Sequence, residues 1–274
     1  AGMLRRLTGV DISASKLRKM TLAFGEECVA GQQAPGPDVR EYPRKPAAAV
    51  KPVPRTLFCM ADGGAANCCK ADTEGVKGKD GEAGTRQIRA AVFGEYGWLD
   101  KRGRPVPWPG SFSYIVSGGT IGEVTPLIRK HGVARGSGTA ERMLCLADGE
   151  SALEDSLRDA FPHALFVNDF PHAADHLHAC CLALGLEQPA AEREFRFCRG
   201  LLYRIGAESA VNRLRRLYQK ELDASPEAMK DLRYLEKRKD NMRYGWLRNQ
   251  GYYIATGHVE AAVRVLIVRR CKQA

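Results

Sequence analysis

Residues 142–149 read RMLCLADG: one arginine, five consecutive apolar residues from Met143 to Ala147, then Asp148 and Gly149. A short apolar run closed by a turn signal is the pattern of a strand buried on both faces of a parallel sheet. The pattern occurs once before, at residues 56–63, TLFCMADG. There Thr56–Ala61 reads as the strand and Asp62 as its end. Acids at the carboxyl ends of such strands stand where α/β sheets place their ligands. The glycine after each acid lets the backbone turn and leaves space beside the carboxylate. One Asp-Gly alone marks an ordinary turn. Its repetition after two apolar strands is the more specific signal.

Working outward, Gln87–Tyr96 (QIRAAVFGEY), Ser111–Ser117 (SFSYIVS) and Ala164–Asn168 (ALFVN) read as further strands. The last of them ends on Asp169. Polar, glycine-rich VKGKDGEAGT and residues 97–110 read as loops. A helix is expected over 122–131, with Pro126 in its first turn. Another is expected over Ser151–Phe161, with Ser151 and Glu154 at capping-box spacing. The strand and helix order implies an α/β fold with a mixed five-stranded sheet. Its first three strands form an antiparallel meander, and the last two run parallel through right-handed crossovers. Residues 171–250 are polar and helical, with Ser225-Pro226 opening a long helix that reaches about Asn249. Residues Gly257–Arg270 form an amphipathic helix with Val259, Val263, Leu266 and Ile267 on one face.

Before the sheet, residues 1–30 read as a short helix, a turn and a basic helix from Lys16, capped by Ser13 or Ser15. This is helix-turn-helix-like, with an ordinary helical hairpin as the alternative, and Arg18 and Lys19 are its candidate DNA contacts. Residues 31–54 contain six prolines and read as a linker. The opening AGMLRRLTGV lacks the apolar core of a signal peptide and reads as a chain cut in mid-domain. No run approaches the ~18–20 apolar residues of a membrane span.

The chain has 274 residues, 44% hydrophobic and 27% charged, which excludes collagen-like and wholly disordered classes. Its net charge of +10 favours an anionic partner. Residues 1–60 hold 10 Lys/Arg against 5 Asp/Glu, and residues 205–274 hold 15 against 8. The centre, 61–204, holds 17 against 19. Basic flanks suit a polyanion, and an acidic centre keeps carboxylates for another use. The nine cysteines are odd in number, include two adjacent pairs and contain no CxxC. That pattern suits buried thiols in a reducing cytoplasm and argues against a structural zinc site.

Asp62, Asp148 and Glu260, in the first turns of the last helix, are the candidate catalytic acids. Three acids converging in an apolar sheet repel one another, and one or two divalent cations resolve that repulsion. Mg²⁺ and Mn²⁺ prefer carboxylate oxygen and leave positions open for phosphate. Asp169, His172 and His176 are candidates to support the acids, contact phosphate or bind metal, with a structural hydrogen bond as the alternative. Arg243 and Tyr244, and Arg248 beyond them, are candidate DNA contacts, with a solvated basic helix as the alternative.

Several segments resemble the ISKra-type family of bacterial insertion-sequence transposases, whose DDE catalytic core is ribonuclease H-like. RLTGVDISASKLRK is similar to the family's N-terminal helix-turn-helix-like part. FCMADGGAANCC is similar to its first-Asp motif, and GVKGKDGEAGTRQIRAAVFGEYGWLDKRGRPV to its hairpin. RMLCLADGESALEDSLRDAFPHALFVNDFPHAADHL resembles the second-Asp block, followed by Asp-x-x-His-Ala-x-x-His. RKDNMRYGWLRNQGYYIATGHVEAAVR resembles the third block, which brings the Glu. The resemblance implies a ribonuclease H-like core over 55–170, a helical insertion over 171–250 and a core helix over 251–274. It implies Asp62, Asp148 and Glu260 as ligands of two Mg²⁺ or Mn²⁺ ions. Water would attack the element end, and the freed 3′-hydroxyl would then attack target DNA. The implied partners are double-stranded DNA and further copies of the chain, in a bacterial cytoplasm. The chain departs from the family in lacking a tryptophan pair after Asp148, in showing ATGH for Gly-Ser-Gly, and in stopping at CKQA. The stop at CKQA, together with an opening that reads as mid-domain, gives the expectation of a copy truncated at both ends. A catalytically inactive DNA-binding remnant, or a nuclease on the same core, is the alternative.

Overall fold

The computed structural model describes residues 45–67, 77–78, 81–82, 85–108 and 110–268, with scattered positions between 13 and 26. Ser15, Lys16, Arg18, Lys19, Leu22, Ala23 and Glu26 are helical and exposed. Ser13 Oγ accepts the Lys16 N–H at 3.2 Å, the expected cap. The rest of the expected helix-turn-helix and linker, to residue 44, lies outside the described residues.

The chain continues through β1 (Lys51–Asn67), β2 (Lys77–Gly78), β3 (Gly81–Glu82), β4 (Thr85–Leu99), β5 (Pro105–Pro107) and β6 (Ser113–Ser117). Helix α1 (Ile121–Ala134), β7 (Arg142–Ala147), α2 (Ser151–Ala160) and β8 (Leu165–Asn168) follow. Six helices close the molecule: α3 (Phe170–Leu182), α4 (Gln188–Arg204), α5 (Ala207–Ala224), α6 (Pro226–Arg238), α7 (Tyr244–Asn249) and α8 (Gly257–Ala262).

The sheet is mixed and six-stranded, ordered β5-β4-β1-β7-β8, with β6 also on β4. The expected strands and their directions are present: β1 and β6 run antiparallel to β4, while β1, β7 and β8 run parallel. The expectation of five strands needs correction. Residues 105–107, Pro-Val-Pro, pair with the far end of β4 opposite Tyr96–Leu99. Prolines hide such a strand from sequence, yet an edge tolerates them because one side of it needs no donor. Strand β1 also begins at Lys51, inside the expected linker.

Alternation along β1 divides the core. Leu57, Cys59 and Ala61 face one cluster with Val124 and Ile128 of α1 and Leu153 and Leu157 of α2. Phe58 and Met60 face the other, with Ala173 and Leu177 of α3, Leu232 of α6 and Val259 of α8. The second face is therefore covered by the last six helices. Cys59, Cys145, Cys180, Cys181 and Cys198 are buried free thiols. Among the described residues no helix is long and apolar enough to cross a membrane.

Four helix details differ from expectation, one being that the last helix is α only over Gly257–Ala262 and continues as a π-helix over Val263–Val268. Helix α1 starts at Ile121 behind a Thr120–Glu123 capping box, which leaves Pro126 in the second turn. Glu150 precedes α2, and Ser151 is its first residue and caps nothing. Ser225 does cap α6, but that helix stops at Arg238, and a 3₁₀ turn over Lys239–Asn241 separates it from α7.

Candidate functional site

The parallel register aligns the acids. Met60 stands opposite Leu146, and Ala147 opposite Asn168. Stepping one or two residues on, Asp62, Asp148 and Asp169 stand level across three neighbouring strands. Asp62 does not end its strand, contrary to expectation. It pairs with Ala90 while β1 continues to Asn67 along β4. What ends near Asp62 is the pairing with β7, so its carboxylate still lies at the carboxyl end of the parallel segment. Asp62 shares the alternation of Phe58 and Met60, and so faces the helix-covered side.

A cleft of about 320 Å³ opens there, lined by Asp62, Asp148, Asp169, His172, Asp175 and Glu260 among others. Positions 62, 148 and 260, remote in sequence, thus meet at one cavity. Asp175 was not anticipated. Its signal was its place on α3 one turn after His172.

Asp169 explains how Glu260 arrives. It is only 3% exposed. Its Oδ2 accepts the His172 N–H at 2.9 Å, capping α3. Its Oδ1 accepts the Thr256 N–H at 2.7 Å. Thr256 leads α8, and its hydroxyl donates to Glu260 Oε1 at 2.8 Å. The neighbouring backbone adds Phe170 N–H to Ile254 O at 2.8 Å. One buried carboxylate therefore fastens both α3 and α8 to the end of β8.

The acids draw on neutral donors. Asp62 Oδ1 accepts from Gly63 N at 2.7 Å, and Asp148 Oδ1 from Glu150 N at 2.9 Å. Burial raises the Asp62 carboxyl from 3.8 to about 6; its bond from Gly63 opposes this, and the Asp148, Glu260 and Asp169 carboxylates add to it. Burial also raises Asp169, against the two backbone N–H groups that favour its charge.

His172 lines the cleft, with its ring 4.9 Å from that of His176. His176 turns elsewhere. Its Nδ1 lies 2.7 Å from Asp231 Oδ1 on α6, and its ring stacks on Tyr234 at 3.7 Å. This is the structural hydrogen bond weighed above, between two helices.

Of the expected DNA contacts, Arg18, Lys19 and Arg243 are exposed and Arg248 is half-buried. Arg243 lies over Trp246 at 5.0 Å, and Arg248 over Tyr203 at 3.7 Å. Tyr244 is fully buried and cannot touch DNA. Its hydroxyl donates to Asn168 O at 2.9 Å.

Hard carboxylate oxygens, neutral partners and an open cleft suit Mg²⁺ or Mn²⁺ by donor chemistry. Among the described residues, however, no three His, Cys, Asp or Glu side chains stand close enough to hold an ion as they are. Side-chain rotation would have to draw the acids together. Against known proteins, the chain matches no family model and no curated protein.

Proposed function

We propose that this chain is a DDE transposase, similar to the ISKra-type family, built on a ribonuclease H-like core. One observation carries the reading: Asp62, Asp148 and Glu260 line a single cleft at the carboxyl end of the parallel segment shared by β1 and β7. The strand order supports it, with an antiparallel meander feeding two parallel crossovers.

In this reading Asp62, Asp148 and Glu260 hold the metal. A divalent ion bound there supplies activation of the attacking oxygen and charge stabilisation at the leaving one. Asp169 sets the position of Glu260 through Thr256. Arg18, Lys19, Arg243 and Arg248 contact the DNA backbone, and their charge steers it towards the cleft. The substrate is double-stranded DNA, first at the element ends and then at the target, handled by more than one copy of the chain.

The test is cleavage of labelled duplexes made from the DNA flanking the coding sequence, with Mg²⁺ or Mn²⁺. Metal-dependent nicking, followed by joining to a target plasmid, is expected, and both should vanish in Asp62→Ala. Binding without cleavage, unchanged by Asp62→Ala, would refute the enzyme. It would leave the second reading, a DNA-binding remnant.

A further inference from the structure

Asp148 follows β7 on a turn whose shape is set from α6, more than eighty residues away. Tyr234 Oη donates to the Asp148 carbonyl at 2.7 Å. Arg238 Nη2 donates to the Gly149 carbonyl at 2.7 Å and to Ser151 Oγ at 3.1 Å. Gly149 has φ +102°, and a Cβ there would lie 2.3 Å from Tyr234 Oη. The turn is therefore pressed against the tyrosine as well as bonded to it.

The two donors are themselves fixed. Arg238 is 9% exposed and stacks on the Tyr234 ring at 4.4 Å. The other face of that ring system meets His176 at 3.7 Å, and Asp231 holds His176. Asp231, Tyr234 and Arg238 fall at i, i+3 and i+7, one stripe of α6. The stripe grips α3 at one end and the Asp148 turn at the other.

We infer that Tyr234 and Arg238 are positioning residues that fix the backbone of the Asp148–Gly149 turn, and so keep the Asp148 carboxylate on the cleft it shares with Asp62 and Glu260, where a divalent ion would be held. Their hydrogen bonds go to the Asp148 and Gly149 carbonyls and to Ser151 Oγ, and Arg238 Nε lies 3.6 Å from Glu154 Oε2, so neither bonds a cleft carboxylate and both act through the Asp148 turn. The inference rests on the metal reading above. It gives the helical segment a role in the chemistry beyond covering the sheet. Outer partners that orient a metal-holding carboxylate typically contribute about 10–100-fold in metal affinity.

Mn²⁺ binding to the full chain, followed by electron paramagnetic resonance, tests this in Tyr234→Phe and Arg238→Lys. Tyr234→Phe keeps the ring stack and removes only the hydroxyl. About tenfold weaker Mn²⁺ binding is expected in Tyr234→Phe, at a folded-state circular dichroism spectrum equal to the parent's. Arg238→Lys, which keeps one donor, is expected to lose less than Arg238→Ala. Mn²⁺ affinity equal to the parent's in both Tyr234→Phe and Arg238→Ala overturns the inference. Amide exchange at Gly149 and Glu150 decides the clamp without metal. Faster exchange in Tyr234→Phe supports it, and unchanged exchange overturns it. If the parent chain binds no Mn²⁺, the metal reading fails, while the exchange result still shows whether α6 holds the turn.

Discussion

Replacing Asp62 by Asn should make the protein more stable while removing its proposed chemistry. Burial and then the carboxylates of Asp148, Glu260 and Asp169 raise Asp62 from 3.8 to about 6. The folded state therefore holds this proton more tightly than the unfolded chain does. Below pH 3.8 both states carry it, and the raised value costs nothing. From there to about pH 6 the folded state alone keeps it, so stability falls as pH rises. Above pH 6 the cost is complete. A difference of roughly two pH units at about 1.4 kcal/mol each caps it near 3 kcal/mol, and solvent screening of this partly exposed carboxylate brings it to about 1–2 kcal/mol. Asn retains the shape, and its carbonyl oxygen can still accept the Gly63 N–H. Asp62→Asn should then gain about 1–2 kcal/mol at pH 7.5. With about 2–4 °C per kcal/mol for a chain of this size, Tm rises by about 2–8 °C. The assay is guanidinium unfolding of both proteins from pH 4 to 8, without divalent metal. The gain should shrink steadily towards pH 4. Equal stability at pH 7.5, or a gain independent of pH, would refute the claim that the Asp62 charge is held under strain.

Three other outcomes follow from the opposite face and end of the sheet. Glu95, 2% exposed, pairs with Arg55 and with Arg135, the latter at 3.1 Å. Glu95→Ala leaves the buried Arg135 without that carboxylate and should cost about 3 kcal/mol in urea unfolding; a loss below about 1 kcal/mol would show the pair to be screened. Burial, and then Arg135, lowers the His131 pKa. Stability should therefore hold above pH 6.5 and fall as pH drops below it, because the unfolded chain takes the proton first. His131→Gln should flatten that fall between about pH 6.5 and 5, and an unchanged profile would contradict it. A Cβ at Gly132 would lie 2.4 Å from the Phe161 ring. Gly132→Ala should cost about 1–3 kcal/mol by overpacking, and Phe161→Leu in the same chain should recover part of it.

Much of the sheet was legible in sequence because its central strands are apolar throughout. Residues 142–147 form a strand with the expected limits, and 165–168 differ from expectation by one residue. Three of the acids were legible because two follow such strands and one sits in an amphipathic helix. Their supports were not. Asp169 was legible as a candidate support for the acids, but only the fold shows how it serves, with both its oxygens taken by the His172 and Thr256 N–H groups at α3 and α8. Tyr234 and Arg238 resembled any polar helical face until α6 was seen against the turn after β7. The pairing of Glu95 with Arg135 joins residues 40 apart and leaves no local pattern. The early strand ends misled for a related reason. Asp62-Gly63 has the composition of a turn, yet β4 continues to pair with it, so tertiary pairing overrides the local signal.

The fastening of Thr256 to Asp169 sets a timetable. Two anchored points enclose α3 to α7, a large loop whose closure is entropically slow to gain contacts. During synthesis the chain emerges amino-terminus first, so the sheet and its three level aspartates can assemble while α8 is still inside the ribosome. Only when residue 260 is free does the fourth carboxylate reach the cleft. A nascent copy can thus have its sheet formed and one face packed against α1 and α2 while still lacking a complete set of acids.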